Sequence, residues 1–398
     1  NQLKLFPVAV YLGFKKQVND AIDEINVGDG INSKLFDAYS SNFTSAVNSR
    51  LSGDKYAAKR AELLLNVNKF AAYKSYHATQ EIARERADKH GEVRSDKEYR
   101  KAAKKVANKY NRNQITEHNV TVSRTRTAKQ WIDFNSDSER VSLYPNMKWL
   151  PSRSAEQRLS HQQYYGLVLP KNDPFWNENQ PGNLWNCKCD WEETDEPIAD
   201  RPKSTTKPAE GLEGNPGETG EVFTGNHTYF SAPKTIYKHL DKLYYSDSGI
   251  PISVIADKTE IADNVATALI LKNSFKDIDI EIRPHLYSSK KSNPEFLVNG
   301  QIGDAKRIEK LSGITNGFNK AVNKQACKIV IIDFNKHFDT SKSVNIDMVV
   351  GLIYRRKSDF INGVECYLVY GEKAVYINKD NLIKHKLKKL INGIMPNQ

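Results

Sequence analysis

Two short stretches of the chain combine side chains that could bind a metal ion or carry acid–base chemistry. In the middle of the sequence, Cys187 and Cys189 lie one residue apart, and His161 precedes them. Cysteine sulfur and histidine nitrogen are the ligands of structural zinc sites, which are usually four-coordinate. The three residues therefore predict a structural zinc site, with Asp173 or Asp190 as candidates for the fourth ligand. The alternative interpretation is a tight turn in which two partly buried cysteines pack without a metal.

The second stretch, NPEFLVNGQIGDAKR (293–307), brings carboxylates and a lysine together. Asn299–Gly300 predicts a tight hairpin turn, because both residue types tolerate a positive φ. The hairpin would fold strand 295–298 back on strand 301–308 and bring Glu295 into the neighbourhood of Asp304 and Lys306. Side chains alternate along a strand, so Asp304 and Lys306 share one face.

An acidic pair beside a lysine is typical of metal-dependent nucleases. Carboxylates such as Glu295 and Asp304 hold a divalent ion, for example Mg²⁺, that activates water, and Lys306 would stabilise the developing charge on the phosphate. The alternative is an ordinary salt-bridged face on an exposed strand. The chemistry would serve RNA or DNA.

A metal-free route competes with this interpretation. RNA carries its own nucleophile in the 2′-hydroxyl, so one base, one acid and cationic groups suffice for cleavage. His285 follows a predicted strand and is the main candidate for the base, and His337 is a lesser one. The candidate phosphate-binding residues are Lys290, Lys291, Lys306, Lys320 and Lys324.

Composition sets the class of protein. The 398 residues suggest two or three domains, and the net charge of +11 favours a polyanionic partner. The 4 cysteines do not form a disulfide framework, which favours a reducing compartment. No stretch approaches the ~18–20 apolar residues that span a bilayer. The apolar run at 5–14 lacks a basic flank and a cleavage site, so no signal peptide is predicted.

The elements that must position these residues change in character along the chain. Residues 1–130 are predicted to be a helical region, with helices near 55–87 and 96–118. The second of these is dominated by Lys and Arg, which is typical of a solvated face or of nucleic-acid contact. Residues 131–195 contain all 5 tryptophans and several prolines, which excludes long helices and predicts an irregular, aromatic-rich module.

The second half is predicted to be a separate domain. Residues 196–221 are rich in Pro, Gly, Thr and charge and are interpreted as a linker. Residues 222–398 are predicted to form an α/β (α+β) domain. Its strands are predicted at 251–256, 278–283, 295–300, 328–334, 365–371 and 373–378, and its helices at 258–271, 315–326, 344–356 and 381–391.

The stretch 144–191 resembles the C-terminal signature of the phage Mu F-like minor head proteins, or phage head morphogenesis family. The order of an aromatic–Pro opening, an Arg, a His-x-x-x-x-Gly step, Asp-x-Phe-Trp and Trp-x-Cys-x-Cys carries the resemblance. One departure is Gln180–Pro181–Gly182, where many relatives have two consecutive prolines. The matching positions are Tyr144, Pro145, Arg153, His161, Gly166, Asp173, Phe175, Trp176, Pro181, Trp185, Cys187 and Cys189.

The region 280–391 resembles the tRNA nuclease domains of contact-dependent inhibition and other polymorphic toxins. The resemblance rests on the Asn-Pro-Glu opening, the strand ending in Asn-Gly, the Asp-x-Lys step, and the run FNKAVNKQACKIVIIDF (318–334). It is less specific than the Cys-x-Cys signature.

Together these resemblances imply a phage or prophage minor head protein that carries a C-terminal ribonuclease toxin, with tRNA as the expected substrate. The expected partners are portal and capsid proteins, RNA and a cognate immunity protein, and the expected locations are the virion and the host cytoplasm. The alternative is a structural head component whose C-terminal domain binds nucleic acid or a partner without cleavage.

Overall fold

The computed structural model describes residues 8–202, 205–286, 292–339 and 343–395. It divides the chain into two compact units, Asn1–Leu243 and Tyr244–Gln398. The first unit is mainly helical and carries one small sheet, and the second is a mixed α/β unit. The predicted order, in which a helical region is followed by an α+β region, is confirmed.

Long helices form the body of the first unit. The second of the two predicted helices begins at a capping box, in which the Ser95 hydroxyl and the Glu98 side chain satisfy each other's backbone N–H groups. It continues past residue 118 to Phe134, further than predicted. The helices are α1 (Val8–Ile22), α2 (Ser33–Asn48), α3 (Ala57–Arg84), α4 (Asp96–Phe134) and α5 (Ser138–Leu143).

The aromatic-rich module contains a small antiparallel sheet that the sequence did not predict. Its strands are β1 (Asn146–Leu150), β2 (Val168–Pro170) and β3 (Asp190–Thr194), in the order β2-β1-β3, with the short helices α6 (Leu159–Gln162) and α7 (Phe175–Glu178) between them. Trp149, Trp176 and Trp191 are fully buried in its core. The indole rings of Trp149 and Trp176 stack with their centres 6.5 Å apart. Aromatic packing therefore holds this module together.

The structure corrects the predicted linker. The buried guanidinium of Arg124 on α4 donates hydrogen bonds to the backbone carbonyl groups of Leu212, Glu213, Gly214 and Glu221. Just beyond, the Phe223 ring stacks on Phe70 with the ring centres 3.8 Å apart. The segment thus packs within the first unit, where α8 (Pro216–Thr219) and α9 (Tyr237–Leu240) also lie, and the unit boundary falls after Leu243 rather than at residue 221.

In the second unit, eight strands of the described residues form one mixed sheet. The strand order is β11-β10-β9-β8-β7-β6-β5-β4, and the pairs β5–β6, β8–β9 and β9–β10 are parallel. The predicted strands all occur, with shorter bounds, and β4 is additional. They are β4 (Tyr244–Asp247), β5 (Ile250–Ser253), β6 (Ile280–Ile282), β7 (Phe296–Val298), β8 (Gln301–Arg307), β9 (Ile329–Asp333), β10 (Glu365–Tyr370) and β11 (Lys373–Ile377).

Helices cover this sheet on both faces. Every residue of β9 is buried, as expected for a strand with protein on each side. Val330 and Ile332 pack in one core with the later helices, whereas Asp333 accepts a hydrogen bond from Thr267 on α10. The helices are α10 (Ile261–Ser274), α11 (Gly313–Phe318), which continues into a π-helical segment (Asn319–Lys324), α12 (Ile346–Tyr354), α13 (Lys357–Ile361) and α14 (Lys384–Asn392).

Candidate active site and metal-binding cluster

The hairpin of β7 and β8 brings the predicted carboxylates together. Asn299 and Gly300 both have positive φ, of 47° and 76°, and form the loop between the paired residues Val298 and Gln301. The predicted hairpin is therefore confirmed. The register pairs Phe296 with Gly303, and Glu295, just before β7, and Asp304 are the residues next to this pair, so the hairpin brings the two positions near each other.

Asp304 is the most buried ionisable group of this site. It is fully inaccessible to solvent, and its carboxylate forms an ion pair with the Lys306 ammonium on the same strand face. Burial raises the pKa of the Asp304 carboxyl, and the Glu260 carboxylate adds to the shift, whereas Lys306 and the Gln325 side chain oppose it. A desolvated carboxylate held against a lysine is common at functional sites.

Lys306 and Glu295 line a cleft of about 510 Å³, whereas Asp304 is fully buried next to Lys306 and is not part of the lining. Glu295 contributes a carboxylate whose Oε2 atom is buried and has no hydrogen-bond partner among the described residues. Glu260, immediately before α10, supplies a further carboxylate that the sequence reasoning missed. Cations surround these acids, and the charged residues and histidine of the lining are Glu260, Glu295, Lys306, Arg307, Glu309, Lys310, Lys320, Lys336 and His337.

The fold explains why these side chains meet. The parallel strands β5, β6, β8 and β9 end at one edge of the sheet, and β7 begins there, so Glu295 and Lys306 lie at that edge. Side chains that follow the carboxyl ends of parallel strands line the binding crevice of many α/β folds. Glu260 lies in the segment that follows β5, at the same edge of the sheet. Its position shortly after a predicted strand is the sequence signal that could have identified it. On α11, Gly317 allows close approach, since a Cβ atom there would lie 3.1 Å from Lys306 Cβ.

The structure separates His285 from this group. Its Nδ1 atom lies 3.0 Å from Asp257 Oδ2, and its backbone N–H donates to the Ile255 carbonyl. His285 does not line the cleft, whereas His337, the lesser candidate, does. Lys320 also lines the cleft, and Lys324 lies exposed one helical turn further along the π-helical segment. Lys290 and Lys291 lie outside the described residues.

The predicted zinc ligands of the first unit form a tight cluster. His161 Nδ1 lies 3.6 Å from Cys187 Sγ and 3.5 Å from Cys189 Sγ, and the three ligand atoms lie within 4.8 Å of one another. Zinc bonds of about 2.3 Å to sulfur and about 2.05 Å to nitrogen, at tetrahedral angles, would place S and N about 3.5 Å apart. The three side chains could therefore hold a metal ion.

The predicted fourth ligands are engaged elsewhere. Asp173 pairs with Arg201 and accepts the Phe175 backbone N–H, and Asp190 pairs with Arg126 and Arg153. Neither belongs to the cluster, so the expectation of an aspartate ligand is not met. Hydrogen bonding to Cys189 lowers the pKa of the Cys187 thiol, and the same contact raises that of Cys189.

Ligand spacing distinguishes the two sites. Within the described part of the chain, His161, Cys187 and Cys189 form the one group of three potential ligands this close together. The carboxylates of the cleft are further apart, and would leave coordination positions to water and substrate oxygens, as magnesium sites usually do. Cys327 and Cys366 are both buried, as the sequence predicted.

Comparison with protein-family models, with curated proteins and with solved structures finds no match to this chain. The resemblances to head proteins and to toxin nucleases therefore stand as expectations from the sequence. No described helix combines the length and apolar character that a membrane crossing requires.

Proposed function

We propose that the second unit is a metal-dependent nuclease and that the chain is a phage or prophage minor head protein carrying it, with tRNA as the expected substrate. The observation that supports the nuclease is that Glu260, Glu295 and Lys306 line one cation-rich cleft, while the buried Asp304 carboxylate forms an ion pair with Lys306. A face stabilised only by exposed salt bridges would not require a fully buried Asp304, nor a Glu295 carboxylate oxygen that is buried without a hydrogen-bond partner among the described residues.

The residues of the cleft divide the chemistry among them. Glu295 and Glu260, which line the cleft, would hold a divalent cation such as Mg²⁺, which would supply an activated water and neutralise phosphate charge. The buried Asp304 would hold Lys306 in position. Lys306, adjacent to Asp304, would stabilise the negative charge that develops on the scissile phosphate. Lys310 and Lys320 would bind the phosphates on either side, since neither forms an ion pair with another described residue.

The metal-dependent route is favoured over the metal-free one by the position of the histidines. His285, the main candidate for a metal-free base, is held by Asp257 and does not line the cleft. His337 lines the cleft but is exposed, and no described carboxylate pairs with it. A base without an orienting partner is less well placed for catalysis.

For the first unit, we propose that His161, Cys187 and Cys189 bind a structural zinc ion within the head-protein module. The S···N distances fit tetrahedral zinc, and the site is enclosed by the aromatic core around Trp149. Portal and capsid proteins are the proposed partners of this unit, and a cognate immunity protein is the proposed partner of the nuclease.

A digest of total tRNA by the full chain in Mg²⁺ tests the nuclease. The Asp304→Asn variant is expected to lose cleavage, because it removes the buried carboxylate that holds the Lys306 ammonium in position. The matched control is Asp277→Asn, an exposed carboxylate before β6, and this variant should cleave like the parent. A DNA duplex in parallel reactions identifies the polymer. Equal cleavage by the parent and Asp304→Asn would contradict the role given to Asp304, and no cleavage by either would favour the structural alternative.

A further inference from the structure

One face of α4 carries a continuous run of positive charge. From residue 99 to residue 112 the sequence YRKAAKKVANKYNR contains Lys and Arg but no Asp or Glu. The Lys and Arg residues in the first half of this helix are exposed, whereas Tyr99, Ala103, Ala107 and Tyr110 are buried. The charged face is thus opposite to the face that packs in the core.

The exposed cations form a straight stripe. A helix turns about 100° per residue, so positions three, four and seven apart lie on one side. We call this the basic stripe, and it consists of Lys97, Lys101, Lys104, Lys105 and Arg112. These five positions fall within about 100° of the helix circumference and extend along about 22 Å of its axis.

The charges of the basic stripe are not compensated within the described residues. Arg100 and Lys109, at its margins, pair with Asp23 and Glu81. None of the five residues of the stripe makes an ion pair with another described residue. Like charges four residues apart on a helix destabilise it. An uncompensated row of this kind indicates a surface suited to a polyanion.

We propose that the basic stripe binds the phosphate backbone of double-stranded nucleic acid without sequence preference. Proteins that bind single strands generally stack bases on exposed aromatic side chains. The two tyrosines of this segment, Tyr99 and Tyr110, are buried, so the stripe offers cations alone. Cations without aromatic groups fit the outside of a duplex, whose phosphates supply about one charge per 1.7 Å of its axis. The stripe belongs to the first unit and the nuclease cleft to the second, so this proposal does not rest on the proposed nuclease activity.

The test uses the full chain with Asp304→Asn, in EDTA, so that the probe is not cut. Binding of a short fluorescent DNA duplex is measured by anisotropy over a range of salt concentrations. The stripe variant combines Lys101→Glu, Lys104→Glu and Lys105→Glu. The matched control combines Lys207→Glu, Lys234→Glu and Lys238→Glu, exposed lysines of the same unit, so that both variants change the net charge equally.

The stripe variant is expected to bind at least about tenfold more weakly, and the slope of log K against log salt should fall by about 0.9 per lost phosphate contact. The control should retain most of the affinity. Circular dichroism melts test whether both variants are folded. If the triple variant is not folded, the single substitution Lys104→Ala is used instead, and it should give a smaller loss of duplex affinity.

Three results would overturn the proposal. The first is equal weakening by the two triple variants, which would indicate a general effect of net charge. The second is unchanged binding by the stripe variant, which would place duplex binding elsewhere. The third is binding of polyglutamate or of single-stranded DNA as tight as that of the duplex and equally dependent on the stripe, which would assign the surface to another kind of polyanion.

Discussion

The two candidate metal sites differ in the way that structural and catalytic sites differ. In the first unit, His161 and the two cysteines are within 4.8 Å of one another, enclosed by the aromatic core of the module. In the second unit, the carboxylates lie around an open cleft of about 510 Å³ among lysines. The first arrangement supplies three of the four ligands that zinc needs, whereas the second takes more of its ligands from water and substrate.

The two sites also differ in how the carboxylates near them are paired with cations. The carboxylate of Asp304 is buried against a single lysine, which keeps the charge at the site without filling the cleft. By contrast, Asp173 and Asp190 near the Cys/His cluster are fully engaged by arginines. Acidic groups that have been neutralised by structural partners contribute to stability, whereas Glu260 and Glu295, which line the cleft, are available for chemistry.

The largest expected effect is on catalysis. Lys306→Ala is expected to lower kcat for tRNA cleavage by about 10²–10³, because it removes the cation that stabilises the developing phosphate charge. The KM should change little. Steady-state cleavage measures both constants, and Lys324→Ala, a lysine outside the cleft, is the control. A loss confined to KM would mean that Lys306 only binds substrate.

The second effect concerns the cluster of His161, Cys187 and Cys189 in the first unit. Cys187→Ser combined with Cys189→Ser is expected to reduce bound zinc from about one equivalent to none, since both sulfur ligands are lost. Metal content by mass spectrometry checks this. The variant should cleave tRNA at the parental rate if it is folded, because the nuclease cleft shares none of these ligands. Retained zinc in the variant would contradict the assignment, and Cys327→Ser is the matched control.

A third expectation concerns the segment that was predicted to be a linker. Arg124→Met should lower the free energy of unfolding of the first unit by about 3 kcal/mol, because buried carbonyl groups lose their donor. Chemical denaturation of the full chain measures the change. Arg112→Met, an exposed arginine on the same helix, should change it by less than about 0.5 kcal/mol. Equal effects would mean that the contacts of Arg124 contribute no stability.

The smallest expected effect is a dependence of stability on pH in the first unit. Burial lowers the pKa of His118 and of His227 to about 4. The unfolded chain therefore takes up protons first, so the unfolding free energy should fall by about 1–3 kcal/mol between about pH 6.5 and pH 4. His118→Gln should flatten this decline, whereas His90→Gln, at an exposed position, should leave it unchanged. A stability that rises on acidification over this range would contradict the burial of both rings.

The sequence predicted the parts of the sites that depend on local chemistry. Asn299–Gly300 determines its own hairpin because two positive φ values are required at one turn. Cys187 and Cys189 needed only His161 to complete their cluster. Glu260 was missed because its approach to Asp304 depends on the pairing of strands distant in sequence. For the same reason the partner of His285, Asp257, was not predicted.

The small sheet of the module and the packed segment after it were also beyond sequence reasoning. Strands β1 to β3 are short, and prolines obscure their alternation. Residues 196–221 have the composition of a linker, but their backbone carbonyls bind the Arg124 side chain, and Leu212 is buried. Amino-acid composition describes the side chains of a segment, whereas this segment binds Arg124 through its backbone carbonyl groups.

The most direct test of the central claim is the metal dependence of cleavage by the unmodified chain. Total tRNA is incubated with the protein in Mg²⁺, in EDTA, and in EDTA followed by excess Mg²⁺, and zinc content is measured in each sample. The nuclease assignment predicts cleavage in Mg²⁺, none in EDTA, and recovery on adding Mg²⁺ back. Cleavage that persists in EDTA would contradict the roles given to Glu295 and Glu260 and support a metal-free route.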